Sequence, residues 1–231
     1  MRLRALPTAV CAAALVGCSS TVTGVAAPPT GAGPQRVAAA KLADLLLPAD
    51  QVASAMGIVV LRVNPAMEGL LVPPRGESTE AHCMGLLAPA QVSVYGGTGS
   101  TGVETRGLIS PDNGGNSHLV IESVIGYPTP AAAGKVLATQ TTDWTGCSNR
   151  TLSVAVAAPA GAPPLSVNVT PLNRANDILS LTETIEHASG LSCQRALAAR
   201  SNVIIDVAAC RDDVTNQAVD LAQAIAGKIP P

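Results

Sequence analysis

The sequence predicts an α+β domain: an antiparallel β-sheet flanked by helices and crosslinked by two disulfides. Three observations point there. Between Val103 and Cys210 the chain passes through short β-branched segments separated by turn-forming residues, the pattern of a meandering sheet. Helical patterning falls mainly before that run, once within it and again at its end, which segregates helices from strands. "LSCQRALAARSNVIIDVAAC" reads as two strand-like arms around Ser201-Asn202, with a cysteine near each outer end.

The chain opens "MRLRALPTAVCAAALVGCSS", with Arg2 and Arg4 ahead of the apolar stretch Ala5–Val16. That stretch is too short to span a bilayer as a mature helix, so residues 1–17 read as an export signal. "LVGC", Leu15 to Cys18, resembles the lipobox of bacterial lipoproteins. The resemblance implies cleavage before Cys18 and acylation of that cysteine, hence a membrane partner and a place on the outer face of the cytoplasmic membrane. Two or more acyl chains make a stable anchor where one does not. Residues 18–40 are small, polar and interrupted by Pro and Gly, the composition of a tether. The domain proper is expected over residues 41–231.

Its elements follow in order. A helix starts near Ala49, after Pro48, with Asp50 in its first turn and Gly57 as its stop. A mixed strand-and-loop region leads to Cys83, and "LAPAQVSVY" reads as one short helix with a proline in its first turn. A strand is expected near Val103–Ile109, a turn at "SPDNGGN", and a strand at "SHLVIESVIGY". A helix then starts about Pro130, capped by Thr129 and carrying Trp144, with Cys147 just beyond its end. Strands follow at "RTLSVAVA", "LSVNVT" and "DILSLTETIE", then the hairpin. In the closing "DDVTNQAVDLAQAIAGKI", Val214, Ala218, Leu221, Ala222 and Ile225 recur at helical spacing. Asp212 and Asp213 suit the positive end of that helix dipole and Lys228 the other.

"GGTGSTG" spells G-x-G-x-x-G from Gly97, and Glu122 stands where a dinucleotide site places its ribose acid. The fingerprint needs a helix opening at its third glycine. Here Gly102 leads into strand-like "VETRGLI", in a chain marked for export away from cytoplasmic nucleotides. The segment therefore reads as a loop, and no cofactor is expected.

The formal net charge is −2 and becomes −4 once the two arginines of the signal are removed. No basic run exists, which argues against nucleic acid as a partner. The chain has one Trp, two Tyr and no Phe, so its core is aliphatic and it lacks a stacking platform for bases or sugars.

Of six cysteines, Cys11 leaves with the signal and Cys18 is acylated. Cys83, Cys147, Cys193 and Cys210 remain, an even set suited to disulfides in an oxidising compartment. A two-residue turn at Ser201-Asn202 sets Arg200 opposite Val203, and the same register sets Cys193 opposite Cys210. Counted from the turn, that is a non-hydrogen-bonded site, where opposed residues approach most closely. Cys83–Cys147 follows by elimination. No C-x-x-C spacing occurs and the histidines are scattered, so no metal site is expected.

No catalytic constellation emerges. His82 adjoins a disulfide cysteine, while His118 and His187 lie at strand ends near turns. G-x-S-x-G, S-x-x-K and H-E-x-x-H are absent. Glu183 and Glu186 face opposite sides of one strand. In the hairpin register Asp206 faces Leu197, which makes Arg195 its diagonal neighbour on the same face. The pair reads first as a salt bridge within the sheet, and second as a cleft wall whose arginine holds an anionic ligand. Tyr95, Tyr127 and Trp144, the only rings, are core or rim residues that can also serve a ligand.

"LLLPADQVASAMG", "CMG" at Cys83, "SVY" at Ser93, "WTGC" at Trp144, the cysteine hairpin and "AIAGKIP" together resemble the extracellular sensor domain of PknH-type mycobacterial kinases. That domain also occurs in stand-alone mycobacterial lipoproteins. The resemblance covers about residues 42–230 and implies a cleft-bearing, sensor-type domain with the same two disulfides. The chain departs from the kinases in carrying a lipobox where they have a transmembrane helix, and no kinase domain. The function expected is a membrane-anchored, non-enzymatic ligand-binding or sensor module of the cell envelope, taking an unknown small-molecule or envelope ligand. The alternatives are a lipid or glycolipid carrier, marked by a deep aliphatic cavity, and an adaptor for an envelope protein, marked by a flat face.

Overall fold

A computed structural model of the chain describes residues 35–70, 80–110, 118–155, 163–186 and 191–230. The export signal, Cys18, His187 and most of the "SPDNGGN" turn lie outside the described residues. Pro34–Pro231 form one compact unit. Its centre is a nine-stranded antiparallel sheet. In chain order the strands are β1 (Arg62–Asn64), β2 (Gly102–Ile109), β3 (Leu119–Gly126), β4 (Arg150–Val154), β5 (Leu165–Val169), β6 (Asn173–Ala175), β7 (Ile178–Ile185), β8 (Ser192–Arg200) and β9 (Val203–Arg211). Across the sheet they run β1-β2-β3-β9-β8-β7-β5-β4, with β6 on β7. The helices are α1 (Ala49–Met56), α2 (Met84–Leu87), α3 (Val92–Tyr95), α4 (Pro130–Cys147) and α5 (Gln217–Gly227).

Strand alternation sends successive side chains to opposite faces, and both faces carry packed helices. On one, Val120, Val124, Ala196, Ala198, Ile205 and Val207 pack against α1 and α5. On the other, Ile125, Leu179, Leu181, Leu197 and Ile204 pack against Leu86 of α2, Tyr95 of α3 and Trp144 of α4. The central strand β9 is therefore buried along almost its whole length.

Several local signals fold as read. Gly57 takes a left-handed φ of 67° and ends α1. The Thr129 hydroxyl accepts the Ala132 N–H at 3.1 Å and caps α4. Arg200 pairs with Val203 and Cys193 with Cys210 in the hairpin. Both disulfides form as paired above, Cys83–Cys147 and Cys193–Cys210. Gly97 and Gly99 take φ of 75° and 80° in a turn, and Gly102 opens β2 instead of a helix. The phosphate-binding geometry is thus missing from the glycine motif.

Other expectations are corrected. "LAPAQVSVY" is not one helix. α2 ends at Leu87 and α3 begins at Val92, with Ala90 between them at φ 51°. The Ala90 N–H is donated to the buried Asp206 carboxylate at 3.0 Å, a bond that holds the chain out of helical conformation there. Cys147 is the last residue of α4, not the residue beyond it. α5 begins at Gln217, so Asp212 and Asp213 precede it. Asp213 accepts from Arg211 at 2.6 Å, and the start of α5 is met by Gln194, whose Oε1 accepts the Ala218 N–H at 2.9 Å. β6 is an additional strand: Asn176 and Asp177, both at positive φ, form a two-residue turn joining it to β7.

Chain assigned by composition to the tether takes part in the folded unit. Asn202 accepts the Val37 N–H at 2.8 Å and donates to the Val37 carbonyl at 3.0 Å. Arg36 donates to the Pro128 carbonyl at 2.9 Å.

Candidate functional site

On the α2–α4 side of the sheet, the helical face formed by the described residues does not close over its whole width. Between the chain around Met67, the α2–α3 connection and strands β3, β9 and β8 lies a cavity of about 360 Å³. Its floor is Leu119, Ile121, Ala208 and the Cys193–Cys210 pair, with Arg195 beside them; Leu87, Ala88, Pro89 and Gln91 form one wall. Ala66 and Met67 form the opposite wall, and Gly107 admits them: a Cβ there would stand 2.5 Å from the Met67 Cβ. Gly107 also donates its N–H to the Met67 carbonyl at 3.2 Å. Gly107 is thus a site of close chain approach, a role glycine fills because it has no side chain.

Arg195 is 0 % exposed and Asp206 1 %. The guanidinium donates to Asp206 Oδ1 at 2.5 Å, to the Val207 and Gly85 carbonyls at 3.3 Å each, and to the Leu86 carbonyl. It also lies over the Trp144 ring, 5.4 Å from its centroid. The second Asp206 oxygen accepts from Tyr95 at 2.8 Å and from the Ala90 N–H. Burial, then the Asp206 charge, push the Tyr95 hydroxyl well above its ordinary range. Tyr127, also raised by burial, shares a 3.0 Å hydrogen bond with Thr98.

The five expected contact residues are therefore placed as follows. Arg195 lines the cavity. Asp206, Tyr95 and Trp144 lie behind that wall, where they hold Arg195 or are held with it. Tyr127 is buried further along the face, bonded to Thr98. The in-sheet salt bridge between Arg195 and Asp206 is present, and it ties β8 and β9 to the end of α2.

Glu183 and Gln91 are the polar residues the sequence did not single out for a site. Glu183 pairs with Cys193 across β7 and β8 and is buried, with Oε1 lacking a hydrogen-bond partner among the described residues. Burial pushes its carboxyl up to about 8, against the opposing pull of Arg195. Gln91 is 1 % exposed and its Oε1 is also unpartnered among the described residues. Nothing in the motif "LAPAQVSVY" marks Gln91, because its position depends on the Ala90–Asp206 bond from a strand far along the chain.

The remaining candidates are disposed elsewhere. His82 Nε2 is 3.8 Å from Glu80. The cluster of His82, Cys83 and Cys147 offers a metal only the imidazole, since the two sulfurs are bonded to each other. Glu122 lies on the other face of the sheet, under α1, with one oxygen accepting the Leu47 N–H at 3.2 Å and the other unpartnered among the described residues. Arg106 and Lys228 donate to the Leu47 and Leu46 carbonyls, at 2.8 and 3.0 Å, so all three side chains grip one stretch of backbone.

Burial pushes the Glu122 carboxyl from 4.5 up to about 7, opposed by the Leu47 hydrogen bond and the two cations. A carboxyl raised on folding binds its proton more tightly in the native state. Its contribution is complete below about pH 4.5 and is lost as pH rises through about 7. Glu122→Gln is expected to flatten that decline, leaving the Glu183 share, which ends near pH 8. Urea unfolding of both proteins across this range checks it; an unchanged slope in the variant would show that Glu122 does not titrate there.

Among the described residues no helix is long and apolar enough to cross a membrane. Residues 37–228 match the family model described as the PknH-like extracellular domain. The chain is 32 % identical over 206 residues to the serine/threonine-protein kinase PknH of Mycobacterium bovis, covering 85 % of this chain and 32 % of that protein. It matches the PknH of Mycobacterium tuberculosis H37Rv at the same identity, covering 30 % of it. The chain thus spans about a third of the length of these relatives. The crystal structure of the extracellular domain of PknH from M. tuberculosis superposes with a TM-score of 0.75 at 31 % identity, covering 85 % of this chain and 98 % of that one.

Proposed function

Because the chain belongs to the PknH-like extracellular domain family, we propose that it is a non-enzymatic ligand-binding module. It is held on the outer face of the cytoplasmic membrane by acylated Cys18. The observation that carries the ligand-binding reading is the cavity walled by Met67, Leu87–Pro89 and the Cys193–Cys210 hairpin. Its volume of about 360 Å³ lies at the low end of small-molecule sites, which run roughly 300–1,000 Å³. Its aliphatic lining favours an apolar ligand, while its size favours a small molecule over a whole glycolipid. The sensor reading therefore stands ahead of the carrier reading, and an open concavity stands against a flat adaptor face. In this reading Arg195 is part of the wall, and Asp206, Tyr95, Tyr127 and Trp144 make that side of the sheet rigid.

Two experiments test it. Expressed in a bacterium with a lipoprotein pathway and fed an alkyne fatty acid, the chain is expected to take the label and partition into detergent. Cys18→Ala is expected to abolish both, and retained labelling in that variant would refute the anchor. Gentle native mass spectrometry of the chain from Pro34 is expected to show a retained small molecule. A retained two-chain lipid would turn the reading to a carrier.

A further inference from the structure

We infer that the cavity beside the Cys193–Cys210 hairpin takes an uncharged aliphatic ligand whose single hydrogen-bond donor meets Gln91, and that Arg195 does not serve as an anion site. This rests on the ligand-binding reading above and names the ligand's chemistry. The cavity's charged residue is Arg195, and its guanidinium is already committed. It donates to Asp206 and to the carbonyls of Val207, Gly85 and Leu86, and its face lies over Trp144. With Asp206 at 2.5 Å and the buried carboxyl of Glu183 on the same sheet face, the site presents no net positive charge to an anion. An entering carboxylate or phosphate would lose its water without gaining a free cation, a strongly unfavourable exchange.

Gln91 differs. It lines the cavity, is 1 % exposed, and its Oε1 is a buried acceptor with no partner among the described residues. Buried polar atoms in native proteins are nearly always paired, and each exception asks for an explanation. A ligand donor that meets Gln91 as its terminal amide turns toward the cavity supplies one. The remaining surface is aliphatic carbon and disulfide sulfur, which reward an apolar body. Met67, unbranched and adaptable, forms the facing wall and suits a ligand of irregular outline.

The test compares three probes of matched length on the chain from Pro34, a compact unit whose relative was crystallised as an extracellular domain. They are 1-octanol, its donor-free counterpart heptyl methyl ether, and octanoate. Binding is followed by the Met67 methyl resonance and by calorimetry. Octanol is expected to bind about tenfold more tightly than the ether, the usual worth of one buried hydrogen bond, and octanoate more weakly than either. Gln91→Met is expected to erase the preference for alcohol over ether while retaining ether binding. Tighter binding of octanoate, or equal binding of alcohol and ether by the unaltered protein, would overturn the inference and leave the ligand-binding reading intact. Failure of every probe to move the Met67 methyl would overturn both.

Discussion

Asp206→Ala is expected to destabilise the domain by about 3–5 kcal/mol, the usual result of leaving a buried charge without its partner. Asp206 is 1 % exposed, and its two oxygens serve three donors: Arg195, Tyr95 and the Ala90 N–H. Alanine leaves the guanidinium uncompensated in an apolar layer and orphans a tyrosine hydroxyl and a backbone amide with it. Arg195→Met in the same chain removes the stranded charge, so the double variant is expected to be more stable than Asp206→Ala alone. Urea unfolding of the two single variants and the double variant measures this. A loss below about 1 kcal/mol in Asp206→Ala would mean that water reaches Arg195 and that the buried network is not what joins the hairpin to α2.

The second large effect is expected from the disulfides, and it differs between them. Cys83–Cys147 closes a loop with a sequence separation of 64, and Cys193–Cys210 one of 17. Loop-closure entropy makes the first worth about 4 kcal/mol and the second about 3. The hairpin bridge joins strands already paired along their full length, whereas Cys83–Cys147 pins the α2 region to the end of α4. Paired alanine substitutions are therefore expected to cost more at Cys83 and Cys147, read from denaturant midpoints. Against a typical total of about 5–15 kcal/mol, that loss takes up a large part of the stability. The reverse order would show that strain or residual unfolded structure, not loop length, dominates.

Local signals in this chain were legible where the physics is local. Thr129 before Pro130 specifies a helix start because a side-chain oxygen and a fixed φ act within one turn. Gly57 specifies a helix end for an equally local reason, its access to left-handed backbone. Ser201-Asn202 sets the hairpin register, and the register places Cys193 opposite Cys210 without reference to anything else. The pairing of Arg195 with Asp206 follows from the same register, one diagonal step along the sheet face.

What the sequence by itself determined is thus the α+β class, the cysteine pairing, most strand and helix positions, and the salt bridge at the centre of one sheet face. All but one of these arise from periodicity, turn chemistry or contacts between chain neighbours; Cys83–Cys147, with a sequence separation of 64, followed only by elimination once the hairpin pair was placed. The tertiary structure alone decided that Ala90 breaks the α2–α3 segment, because the carboxylate that takes its N–H belongs to β9. It alone decided that Arg195 is a committed structural cation, because its carbonyl acceptors come from α2 and its stacking ring from α4. It alone opened a cavity over the hairpin, through the approach of Met67 to Gly107 and the turn that brings Gln91 to the wall. Those features join residues far apart in sequence, and their geometry exists only once helices and sheet have packed.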